Sequence, residues 1–155
     1  MRRTATAAAL LAALALFPAC DSGEAERPSF RVDVTGAVEA TLTGRPRVGV
    51  FEDRAGTVYT FALGSGLSVV TLSGVEPRVG TYDPTGSLVL LFGAEPALFV
   101  AEGGEVAVES VEGGLVRARL AFDAAAGGED GAATVRVEGG MLADLDDRLP
   151  TPTFP

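Results

Sequence analysis

From Phe30 onward, apolar residues recur at every second position, and this period of two constrains the fold more than any other feature of the chain. In the first run, Phe30, Val32 and Val34 alternate with Arg31 and Asp33, as in a β-strand with one buried face. Turn residues, mostly glycines, separate this run from similar ones. The runs predict strands at 30–34, 38–43, 48–50, 59–63, 69–72, 88–92, 98–101, 106–111, 115–122 and 134–139.

These nine to ten short strands predict an all-β domain over residues 30–144. No amphipathic helical pattern lies between them, so the crossovers that a parallel sheet requires have no candidate segment. The expected fold is a single antiparallel β-sandwich or an open barrel, and the alternation does not choose between the two. Its core must consist mainly of Val, Leu and Ala, because the chain has 8 Phe and no Trp.

Glycines predict the positions of three turns. A three-residue loop of Gly64, Ser65 and Gly66 is expected to close one hairpin, and Gly103–Gly104 is expected to be a turn. A second three-residue loop, 112–114, is expected to end with positive φ at Gly114. It would pair Val111 with Leu115, Glu109 with Arg117, and Val108 with Ala118, so that inward residues share one face.

The first 19 residues have the composition of an export signal. Two arginines follow Met1, residues 5–17 are almost entirely apolar, and a small residue, Ala19, stands at the end. The apolar run is too short to span a bilayer, which takes about 20 residues. We therefore predict a cleaved signal peptide over residues 1–19.

Cys20, the one cysteine of the chain, is the candidate modification site. The preceding residues resemble the bacterial lipobox: Ala19 and Cys20 match it, whereas Phe17 and Pro18 stand where Leu and a small residue are usual. A lone cysteine cannot cross-link its own chain. The resemblance implies lipidation at Cys20, with the membrane as partner and a location in the cell envelope, at the outer membrane. The periplasmic and surface faces both stay open.

Two polar segments flank the predicted domain. Residues 20–29 form an acidic tether without periodicity, whose expected reach is about 15–20 Å. Residues 145–155 are rich in proline and are expected to form a loose C-terminal tail.

The composition of the chain, including its net charge and its lack of histidine, argues against several classes of binding partner and enzymatic reaction. The chain carries −9, or about −11 without residues 1–19, and clustered basic residues for nucleic acid are lacking. With no His, neither a Ser-His-Asp triad nor an imidazole zinc site is available, and no glycine-rich phosphate loop precedes a helix. The acidic clusters 127–131 and 144–147 lack the alternating calcium-loop pattern and are interpreted as solvated loops. We predict no catalytic residue, no metal and no cofactor.

A longer pattern runs through the second half of the chain: Pro77-Arg78-Val79-Gly80-Thr81-Tyr82, then 104–111, 116–122 and 135–143. It resembles uncharacterised small β-rich lipoproteins of Bacteroidetes and related bacteria. That resemblance implies a β fold and an envelope location, and it implies no activity.

The sequence thus indicates a lipid-anchored envelope protein that carries a non-catalytic β-domain for binding or structure. Its ligand or envelope partner is not specified. Two alternatives stay open: a lipocalin-like carrier of a small apolar ligand, which needs a hollow interior, and a hydrolase that uses two carboxylates.

Overall fold

The computed structural model describes residues 26–54, 56–126 and 133–149, which form strands and turns and contain no helix. The all-β prediction is therefore confirmed. No helix in the described residues is long and apolar enough to cross a membrane. The ten strands are β1 (Ser29–Gly36), β2 (Ala40–Gly44), β3 (Arg47–Asp53), β4 (Gly56–Ser65), β5 (Ser68–Ser73), β6 (Gly80–Tyr82), β7 (Leu88–Leu91), β8 (Ala97–Glu112), β9 (Leu115–Ala126) and β10 (Thr134–Asp144).

All ten strands belong to one antiparallel sheet in the order β2-β1-β10-β9-β8-β7-β5-β4-β3, with β6 paired to the second half of β8. β2 and β3 are opposite ends of this order, yet only two residues, Arg45 and Pro46, join them. Such a link spans about 11 Å at most. The sheet must therefore curl until the end of β2 lies close to the start of β3. It forms a half-barrel rather than two packed sheets.

The ends of the curled sheet are joined by the segment that follows β10. The Val48 N–H donates to the Asp147 carbonyl at 3.0 Å, and the Leu149 N–H donates to the Val48 carbonyl at 2.8 Å. The Asp147 carboxylate lies 2.7 Å from Arg45 Nε and 3.9 Å from Arg47 Nε. We call residues 44–48 and 145–149 together the seam. The seam includes the first five residues of the predicted C-terminal tail, and residues 150–155 lie outside the described part.

One strand, β8, replaces the two that the sequence predicts at 98–101 and 106–111. The predicted turn at Gly103–Gly104 is wrong, because both glycines lie within β8 beside a β-bulge. A Cβ at Gly104 would approach the Phe122 Cα to 2.4 Å, so Gly104 permits the close approach of two strands, whereas a Cβ at Gly103 would meet nothing within 4 Å. The three-residue strand β6 has no counterpart in the prediction, because it is too short to show alternation.

The inward face of the sheet forms one hydrophobic core. The inward residues expected in β8 and β9, among them Val106, Val108 and Leu120, are at most 2% exposed. Three phenylalanines from different strands, Phe61, Phe99 and Phe122, are among the largest fully buried side chains. The outward face therefore carries the groups that are available to a ligand.

Candidate binding cleft on the outer face

The hairpin between β8 and β9 places the first functional side chain. Its loop has two residues, Gly113 and Gly114, with φ of 56° and 82°, as in a type I′ turn. The positive φ expected at Gly114 is confirmed. The expected pairings of Val111 with Leu115 and of Glu109 with Arg117 are wrong, because Val111 lies opposite Val116 and Ser110 opposite Arg117.

A β-bulge in β8 restores the alternation of inward and outward residues, which the two-residue loop would otherwise shift by one position. Glu109 is the extra residue of β8, and beyond it Val108 lies opposite Ala118, as predicted. The bulge keeps Val108 inside and leaves both Glu109 and Ser110 on the outward side. Glu109 thereby reaches Arg119, with 2.7 Å between Oε1 and Nε.

The closing turn of the β4–β5 hairpin is also shorter than predicted. Ser65 pairs with Ser68, so the loop consists of Gly66 and Leu67 rather than residues 64–66. Gly66 has φ of 63° at the first loop position, which is the pattern of a type II′ turn.

A cleft of about 400 Å³ crosses the outward face of β1, β10, β9 and the bulge of β8. We define this outer cleft by six of its lining residues: Glu26, Arg31, Glu109, Arg117, Arg119 and Gly140. Its centre is a row across three strands, in which Gly140 lies directly between Arg31 and Arg119. In the next row, Leu142 lies between Ser29 and Arg117. Arginines thus lie on both sides of the cleft, and a glycine forms part of its floor.

Backbone geometry does not require glycine at position 140, although the missing side chain leaves the cleft open. The φ of Gly140 is negative, and a Cβ there would meet only the Ala118 carbonyl oxygen, at 3.4 Å, an ordinary contact. The preceding Gly139 differs, because a Cβ would lie 2.2 Å from the Arg31 carbonyl oxygen. Strand packing therefore requires glycine at 139 and would accept a Cβ at 140.

Each arginine of the cleft already contacts a carboxylate. Glu26, just before β1, pairs with Arg117 although the two are 91 residues apart in sequence. Hydrogen bonding to Glu26 and the attraction of its charge, with a smaller contribution from Glu109, raise the pKa of Arg117. Arg31 Nε lies 3.5 Å from Asp33 Oδ2. The guanidinium side chains remain 41% to 77% exposed, so solvent screens these pairs and they hold the arginines only weakly.

A second, more acidic cleft of about 440 Å³ lies where β1 turns into β2, beside Asp33, Glu39 and Thr41. The Thr41 hydroxyl donates to Asp33 Oδ1 at 2.6 Å. This hydrogen bond, together with the charge of Arg31, lowers the pKa of Asp33. A carboxyl group with a lowered pKa holds its charge and is unsuited to general-acid chemistry at neutral pH.

An apolar area occupies the outward face of β7 and β8, away from the outer cleft. Leu88 pairs with Val100 and Leu90 with Leu98 across the two strands. Leu88, Val100 and Leu98 are 41%, 40% and 50% exposed. We call these four residues the apolar patch.

The predicted site residue Cys20 lies outside the described residues, as does the acidic cluster 127–131. The other acidic cluster is only partly solvated, because the Asp147 side chain is 19% exposed and pairs with Arg45. Within residues 26–54, 56–126 and 133–149, no group of three or more His, Cys, Asp or Glu side chains is placed to hold a metal ion. Comparison with known protein families, curated proteins and solved structures finds no match to this chain.

Sequence reasoning overlooked the arginines of the outer cleft and Gly140. The alternation of apolar and polar residues in the 115–122 run does place Arg117 and Arg119 on the same outward face. The Gly139–Gly140 pair inside a strand was a further signal, because glycine in a strand interior marks a bulge or a close approach. Only the strand order brings Arg31 to the same place.

Proposed function

We propose that this protein is an exported envelope lipoprotein, anchored through lipid at Cys20, whose β-domain is a non-catalytic binding or structural module. The export signal at 1–19 and the lipobox-like residues before Cys20 support the anchor. β1 begins at Ser29, so the predicted tether at 20–29 leads directly into the sheet.

The outer cleft is the observation that carries the binding role. It combines three arginines with a glycine that strand packing does not require. The apolar patch adds an exposed surface of a kind that marks interaction sites in many soluble proteins. Both features lie on the outward face of the sheet, where a partner has access.

The carrier and hydrolase alternatives find less support. A carrier of an apolar ligand needs an interior cavity, whereas the inward side chains pack on one another in one cluster. A hydrolase with two carboxylates needs one group with a raised pKa. The shifts resolved for Asp33 and Asp83 are both downward.

Membrane fractionation and mass spectrometry of the mature protein test the anchor. We expect wild-type protein in the membrane fraction, with acyl mass on Cys20, and the Cys20→Ala variant in the soluble fraction. Ser22→Ala is the matched control and should stay with the membrane. Soluble wild-type protein, cleaved elsewhere and without acyl mass, would contradict the proposal.

A further inference from the structure

We infer that the outer cleft is a carboxylate-binding site, in which Arg31 and Arg119 bind the ligand over Gly140 while Glu109, which already contacts Arg119, acts as a competitor supplied by the chain itself. The inference deepens the proposed binding role. It does not depend on the lipid anchor, so the two can fail separately.

The row of Arg31, Gly140 and Arg119 places two arginines where both can bind one ligand group. Adjacent strands lie about 4.8 Å apart, so the Cα atoms of Arg31 and Arg119 are each one strand spacing from Gly140. Both guanidinium groups can reach a group above Gly140 from opposite sides. The planar guanidinium matches a carboxylate with two parallel hydrogen bonds, which gives direction as well as attraction.

Gly140 supplies the space. Its Cβ would be accommodated, so the missing side chain serves the cleft rather than the strand. The outward Leu142 in the next row is only 7% exposed and lies outside the core cluster, so it gives the cleft an apolar wall. An organic acid has both a carboxylate and carbon atoms to match this combination.

Glu26 shows that an arginine of this cleft, Arg117, already binds a carboxylate of the chain itself. It comes from a segment before β1, and it pairs with Arg117 on β9, two strands away. A ligand carboxylate on Arg31 and Arg119 must compete with Asp33 and Glu109, which already contact these arginines. The nearby Glu109 and the net charge of −9 disfavour a doubly charged phosphate more than a singly charged carboxylate.

An NMR titration of the full mature chain, with Cys20→Ala so that it stays soluble, tests the site. The probes are butyrate, the N-acetylated and C-amidated peptide Ser-Gly-Glu-Ala, and inorganic phosphate, so that each organic probe carries one carboxylate. We expect the two carboxylate probes to shift the amide signals of Arg31, Arg119 and Gly140. Binding of both supports recognition of carboxylate as such, and binding of the peptide alone supports a peptide source.

Four variants give the inference its sharpest test. Arg31→Gln and Arg119→Gln should each weaken binding about tenfold or more, because a charge-assisted hydrogen bond is lost. Gly140→Val should abolish binding with an unchanged Tm, since its side chain fills the cleft. Glu109→Gln should strengthen binding severalfold by removing the carboxylate that already contacts Arg119.

Arg136→Gln is the matched control for charge. Arg136 lies on the same face of β10, pairs with Asp123 and Glu138, and does not line the cleft. Its loss should leave affinity within about twofold, the size expected of a distant surface charge. The inference is overturned if phosphate binds more tightly than either carboxylate or neither carboxylate binds. It also fails if Arg136→Gln weakens binding as much as Arg119→Gln, or if folded Gly140→Val binds like wild type.

Discussion

At the scale of single residues, Asp33 has a pKa that one neighbouring hydroxyl controls. Thr41→Val removes the hydrogen bond to Asp33 Oδ1 and should raise the pKa of Asp33 toward its usual value. Because the folded pKa is lowered, Asp33 adds stability above the unfolded pKa of about 3.9 and loses that contribution as pH falls through the folded value. Carboxyl NMR titration of wild type and variant measures the change. Thr43→Val, on the same strand, is the control, and an ordinary pKa for Asp33 in wild type would contradict the prediction.

The three aspartates at the end of β10 and just after it, Asp144, Asp146 and Asp147, should differ in how much they stabilise the fold. Asp144→Asn and Asp146→Asn should leave the free energy of unfolding within about 0.5 kcal/mol, as is usual for surface changes. Asp147→Asn should lower it by up to about 1 kcal/mol, because the charge that attracts Arg45 is lost from a partly exposed pair. Urea unfolding of the single and triple variants measures this. A calcium-dependent rise in Tm that the triple variant lacks would show a metal site instead.

At the scale of elements, the bulge of β8 makes a sharp prediction about deletions. Deleting Glu109 turns the bulge into a regular ladder in which Val108 and Val111 still face inward, so we expect the fold to persist. Deleting Ala107 leaves the bulge in place and turns Val106 outward, so we expect a large loss of stability or no folding. Circular dichroism and thermal unfolding of the two variants compare them. Equal behaviour of the two would refute this account of parity.

The same elements show how far a sequence carries the fold. Alternation predicts most strands and the inward face of β9, because burial selects apolar residues at every second position. It does not locate bulges, since an extra outward residue such as Glu109 breaks parity without a distinct chemical signature. Glycines are ambiguous for a related reason: Gly113 makes a turn, whereas Gly104 permits close approach within a strand. The outer cleft was beyond prediction because its residues meet only through the order of strands.

At the scale of the whole molecule, the seam should hold the half-barrel closed. A chain that ends at Asp144 lacks both backbone hydrogen bonds to Val48 and the Asp147 ion pairs, which a chain ending at Leu149 retains. We expect the shorter chain to be less stable by about 2–4 kcal/mol, from about 1 kcal/mol per hydrogen bond plus the ion pair and lost packing. Chemical denaturation of the two truncated chains gives the difference. Equal stability would mean that the seam contributes nothing to closure.

The pairing of the first strand with the last also fixes when the protein can fold. β1 lies against β10, with Phe30 opposite Met141, and the seam closes only with residues 147–149. A chain delivered from its N-terminus therefore cannot complete its sheet until the final strand has emerged. Contacts so distant in sequence also make folding slow. The topology thus leaves β1 without one of its two partner strands until β10 is available.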